Sequence, residues 1–121
     1  MHDEQFKRGV EEFNRCYFFE CHDTLEELWM ETIGRDRLFL QGLIQVSVGF
    51  YHLFNKNYKG ASSQFMKGLE KLEAYRPAHR GIEIDHFLED VRRWHALVER
   101  CLQGHEAELD ESGVPKLQFI E

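Results

Sequence analysis

The stretch YFFECHDTLEELWME, residues 17–31, decides the fold. Its apolar spacing is helical. At about 100° per residue, Phe18, His22, Leu25 and Trp29 fall on one line. Cys21 and Leu28 flank that line on one side and Glu26 on the other. Glu20, Asp23 and Glu27 lie opposite, toward solvent, where acids in a first turn also suit the helix dipole. Gly34 follows as a good residue to end this helix in the left-handed conformation.

The next helix is predicted over residues 36–54. It is apolar nearly all round, with Leu38, Phe39, Leu40, Leu43, Ile44, Val46, Val48, Phe50 and Leu53. Such a helix belongs at the centre of a fold, contacted on several sides. Gly42 and Gly49 share a face, and each costs about 1 kcal/mol relative to Ala inside a helix. Two such costs predict a close approach by another helix or a ligand.

Outward from this pair, residues 3–15 place Phe6, Val10 and Phe13 at helical spacing, with Asp3 as the expected N-cap. A fourth helix is predicted over residues 58–75, burying Tyr58, Ala61, Phe65, Leu69 and Leu72. Residues 76–84 read as a loop after Pro77. A fifth helix follows over residues 86–102, capped by Asp85, with Phe87, Val91, Trp94, Val98 and Cys101 inward and Gly104 as its stop. The chain therefore reads as all-α, a compact bundle of about five helices arranged as antiparallel helical hairpins. One helical domain accounts for residues 1–121, with its core at 3–103 and an extended tail at 104–121. That tail carries Val114, Leu117, Phe119 and Ile120, and is expected to dock on the body.

A faint echo runs through the chain. Asn14-Arg15-Cys16-Tyr17 matches Asn55-Lys56-Asn57-Tyr58, an offset of 41 positions. Each copy opens a helix after a short turn. Two copies make a hairpin array, since a solenoid needs about three or more repeats.

Composition narrows the function. The formal net charge is −7, and binding to nucleic acid needs a basic stripe. Lys56, Lys59, Lys67 and Lys71 are interleaved with Glu70 and Glu73 and read as a solvated helix face. The three cysteines form no CxxC pair, so reduced thiols are expected. No apolar leader opens the chain. Residues 38–54 contain Gln41, Gln45 and His52, too polar for a membrane span. A cytoplasmic protein, binding neither membrane nor nucleic acid, is the expectation.

One polar set stands out. Gln41, Gln45, Val48 and His52 share a line on the central helix. The short connection at residues 32–35 makes the two helices antiparallel neighbours. If the stripes face each other, His22, Glu26, Gln41, Gln45 and His52 line one partly buried space, with Trp29 beside it. A carboxylate beside an imidazole fixes its tautomer and raises its basicity. Glutamines donate and accept. Two histidines with a carboxylate are also a familiar transition-metal set. The expectation is His22 and Glu26 as the catalytic pair, with Gln41, Gln45, His52 and Trp29 binding a substrate. The same groups could equally serve only to satisfy one another inside a core. No nucleophile elbow, phosphate loop or zinc spacing is present, and no motif names a metal or cofactor.

The motifs Asn14-Arg15-x-Tyr17-Phe18-Phe19-Glu20-x-His22-Asp23-x-Leu25-Glu26-x-x-Trp29 and Leu40-Gln41-Gly42-Leu43-Ile44-Gln45-x-Ser47, with His52 beyond, resemble a family of small bacterial and archaeal helical proteins. The family is known only as a domain of unknown function, numbered 309. The resemblance spans residues 5–75 and implies an all-α bundle with no assigned activity. Asp23 stands where the family usually has Glu, and Cys16 where it usually has Gly, which loosens the turn before the second helix.

Two functions compete. One is a small-molecule or metal-ligand binding protein, with a hydrolase-like enzyme as its extreme, built on His22 and Glu26. The other is a protein–protein interaction module using a helical-hairpin groove or a homodimer surface. There the exposed acids would face a basic partner, and Tyr75 and Trp94 would be candidate contacts.

Overall fold

A computed structural model describes residues 3–120. Residues 1, 2 and 121 of the expected domain lie outside the described residues. Five helices follow one another: α1 (Asp3–Asn14), α2 (Phe18–Glu31), α3 (Arg35–Phe54), α4 (Tyr58–Leu72) and α5 (Asp85–Leu102). Each packs on the next in the chain, and α3 with α4 makes the most extensive contact. The fold is an all-α bundle. Among the described residues, no helix is long and apolar enough to cross a membrane.

The core is a cluster of rings around Phe50, which is fully buried. Its centroid lies 5.4 Å from Phe18, 4.8 Å from Phe65 and 5.6 Å from Trp94. The close approach signalled by the central glycines is that of α4. A Cβ on Gly42 would sit 2.8 Å from Leu72 Cγ, and one on Gly49 2.6 Å from Phe65 Cδ1.

The apolar line of α2 is shifted from its predicted centre. Its buried residues are Phe18, Cys21, Thr24, Leu25 and Leu28. His22 and Trp29 sit at the edge of the buried arc, and Glu26 is exposed. The reason is that α1 covers the Thr24 side. Arg8 donates to the Thr24 hydroxyl, Gln5 donates to its carbonyl, and Leu25 packs on Gly9. A helix gripped from two sides buries the arc between its neighbours.

Several expected caps are replaced. Asp3 is already helical, and its carboxylate accepts from Arg80 at 3.1 Å. α2 ends at Thr32, whose hydroxyl donates to Leu28 O, while Gly34, at φ +77°, precedes α3. Asp85 accepts from Arg76, and Glu83 instead takes the His86 N–H at 3.0 Å from both carboxylate oxygens. Gly104 stops α5 at φ +93°, as expected.

α4 stops at Leu72, and Glu73–Tyr75 tightens into a 3₁₀ turn. Residues 76–84 hold a small antiparallel hairpin, β1 (Ala78–His79) and β2 (Ile82–Glu83). The tail extends it, with Phe119 bridging Ile82 and Ile120 N–H donating to Gly81 O at 2.7 Å. Asn14 clamps the same tail through Leu117, accepting from its N–H at 2.8 Å and donating to its carbonyl at 2.9 Å.

The internal echo is present in the backbone, with an offset of 40 positions and not 41. Cys16 and Lys56 both take left-handed φ, +62° and +61°. Cys16 N–H reaches Phe13 O as Lys56 N–H reaches Leu53 O, and Tyr17 N–H reaches Glu12 O as Asn57 N–H reaches His52 O. All four bonds close between 2.8 and 3.0 Å, so the turn at Cys16 closes as the one at Lys56 does. Leu25 over Gly9 then matches Phe65 over Gly49. The α1–α2 and α3–α4 hairpins are two copies of one packing unit. Residue identity at the turns misled the register because the left-handed position, not the Asn, is what repeats.

Candidate functional site

The N-terminal part of α2 and the C-terminal part of α3 enclose a pocket of about 140 Å³ lined by Phe18, Phe19, His22, Val48, Tyr51 and His52. The two histidines are thus brought to one place. His22 is held along its own helix: Nδ1 lies 3.3 Å from Asp23 Oδ1 and Nε2 3.1 Å from Glu26 Oε2. Both nitrogens face carboxylates. His52 Nδ1 accepts from the Asn57 amide at 3.3 Å, since that amide's oxygen takes the Gly60 N–H.

The other sequence-selected residues lie apart. Glu26 is outside the pocket and touches it only through His22. Gln45 is half-buried with an unpartnered buried Oε1. It lies seven positions before His52, about 10.5 Å along the helix, and Gln41 is a further turn away. Trp29 sits at the opposite end of α2, where the Arg37 guanidinium stacks 3.8 Å above its ring and donates to its carbonyl. The five polar groups do not converge on one cavity. Among the described residues, no three His, Cys, Asp or Glu side chains are arranged to hold a metal ion.

The pocket instead presents rings. Phe19 and Tyr51 are 52% and 40% exposed, with centroids 5.8 Å apart. Exposed aromatics at a concavity mark contact surface better than scattered apolar residues do. Both were overlooked in the sequence because they lie off the apolar lines of their helices. That position was itself the available signal, since Phe19 sits beside Glu20 on a face that should be polar. A second depression of about 200 Å³ adjoins the first and shares Phe18, Phe19 and Tyr51, adding Tyr17 and Phe54.

A serine, a histidine and a glutamate also meet between α4 and α5. Ser62 Oγ lies 3.2 Å and Glu99 Oε1 3.1 Å from the same nitrogen, His95 Nε2, and Ser62 donates to Glu99. A catalytic relay needs the acid on the other ring nitrogen. This trio ties two helices together. Among the thiols, Cys21 is fully buried, and that burial pushes it up to about 12, with Glu12 adding to the rise and a Ser47 hydrogen bond opposing it. It stays a neutral core group. All three cysteines are free.

Residues 6–64 match the family model described as a domain of unknown function (DUF309). That segment runs from α1 into α4 and contains His22, Glu26, Trp29, Gln41, Gln45 and His52. The uncharacterized protein YpuF of Bacillus subtilis (strain 168) is 34% identical over 70 residues, covering 57% of this chain and 40% of that protein. The chain thus spans less than half the length of this relative. The family resemblance carried by the paired motifs is shown over residues 6–64.

Proposed function

We propose that this chain is a protein-interaction module whose α2–α3 groove takes apolar side chains from a partner polypeptide. The observation that carries this reading is the pair of adjoining depressions, about 140 and 200 Å³, sharing the exposed rings of Phe19 and Tyr51. Sites for small molecules usually enclose about 300–1,000 Å³ and bury most of the ligand. Each depression here suits a single side chain. Rigid aromatic rings that lose little entropy on binding are the usual anchors of such contacts.

A small-molecule site using His22, Glu26, Gln41, Gln45 and His52 is the second reading, and the unpartnered Gln45 Oε1 is what favours it. It is weakened by the spread of those groups along the helices. The acidic balance and the free thiols support a cytoplasmic setting.

The test is a titration of the isotope-labelled chain with short apolar synthetic peptides, read by chemical shifts. Shifts at Phe19, His22, Tyr51 and His52, lost in Phe19→Ala at unchanged Tm, are the expected result. A Phe19→Ala protein as destabilised as a core variant would show the ring to be structural and end the proposal. So would peptides that leave these resonances unmoved.

A further inference from the structure

The groove does not stop at α3. The same end of the bundle carries a larger cleft, about 500 Å³, between the start of α4 and the end of α5, where Lys56, Tyr58 and Cys101 are among its lining residues. The 40-residue register carries Cys16 onto Lys56 and Phe18 onto Tyr58. The smaller depression lies between the first residues of α2 and the last of α3, and the larger between the first residues of α4 and the last of α5. Phe54 lines both. The two grooves therefore lie side by side.

The tail runs between them. After Gly104 it crosses this end of the bundle, and His105, Glu106, Ala107 and Leu109 wall the larger cleft. It then turns through Glu111–Gly113, where Glu111 borders the smaller depression and its carbonyl lies 3.7 Å from Cys16 Sγ. This strap reads HEAELDE over residues 105–111. Glu106, Glu108, Asp110 and Glu111 are all exposed, and Glu20 adds a further carboxylate at the rim. Lys56 is the only Lys or Arg among the described lining residues of the three depressions.

We infer that the occupant of this face is a basic polypeptide segment of another protein, laid across both grooves. Its apolar side chains fill the grooves, and its Lys or Arg side chains meet the acidic strap between them. The inference rests on the interaction reading and specifies its partner. A ridge of acids between the apolar α2–α3 groove and the mixed polar and apolar cleft beside it attracts cations into register and repels an acidic partner. It also disfavours a second copy of this chain, whose net charge is −7.

Two synthetic peptides decide the matter. They share length and apolar positions, one with Lys and Arg between them and the other with Glu and Asp. Each is titrated into the labelled full chain and into Glu106→Gln/Glu108→Gln/Glu111→Gln, whose altered side chains are exposed and leave the Asp110 cap on Ser112 in place. The basic peptide should shift Phe19 and Tyr51 together with Tyr58 and Leu109, and bind roughly tenfold tighter than its acidic twin, about 1.4 kcal/mol. The triple variant should erase that preference, and added salt should shrink it. Equal binding of the two peptides, or shifts confined to Phe19 and Tyr51, would overturn the basic spanning partner and leave the groove reading intact. No shift at Phe19 or Tyr51 with either peptide would overturn both. Concentration-dependent self-association moving the same resonances would name a second copy as the occupant and overturn the inference.

Discussion

The Phe65 ring occupies the space that a side chain on Gly49 would need, with Cδ1 2.6 Å from the ideal Cβ position. Phe65 is fully buried, so the ring has nowhere to retreat. Forty residues earlier Leu25 lies over Gly9 in the same way, with Cδ2 at 2.5 Å. Gly49→Ala should therefore destabilise the chain by about 1–3 kcal/mol, the usual cost of overpacking, although Ala is the better helix former. Denaturant unfolding measures it, and a Gly49→Ala protein as stable as the parent would contradict this packing.

The register of the duplication can be tested at its second turn. Lys56 holds the left-handed conformation, while the Asn57 side chain accepts from Gly60 N–H at 3.0 Å. Lys56→Gly should stabilise by about 1 kcal/mol, because glycine bears no steric cost at φ +61°. Asn57→Ala should destabilise by about 1 kcal/mol through the lost cap. The opposite pattern in thermal melts would restore the 41-residue alignment.

Asn14 fixes the tail beyond the strap, at Leu117. Asn14→Ala removes both of its side-chain bonds to Leu117, at about 1–3 kcal/mol for two partly buried hydrogen bonds. Its signature should be local. Amides of residues 114–120 should lose hydrogen-exchange protection while α3 and α4 keep theirs, and an unchanged tail would refute the clamp.

Glu73 predicts a pH dependence. Hydrogen bonds from Arg92 and Arg76 to its charged form hold its carboxyl below the ordinary 4.5. Its contribution is therefore full above pH 4.5 and is lost as the pH falls through the lower folded value. The Tm advantage of the parent over Glu73→Gln should be constant near neutrality and shrink in acid below about pH 4.5. Parallel melting curves down to the acid limit would show that the pairs contribute nothing.

The sequence by itself determined the helices, their order and the central place of α3. Those follow from periodicity and from short connections, both local properties of the chain. Gly42 and Gly49 also announced a close neighbour without naming it. What the sequence could not settle was which edge of α2 is buried, because that depends on α1 and α3 gripping it together. His22 and Trp29 were placed one position too deep for this reason, and the five polar groups drawn into one cavity are spread along two helices. The docking of the tail was equally out of reach, since the Asn14 contact with Leu117 joins residues 103 positions apart. Only tertiary packing put Phe19, Tyr51 and the acids of residues 106–111 on one surface, because helical spacing sets which way a side chain points and packing alone decides what it meets.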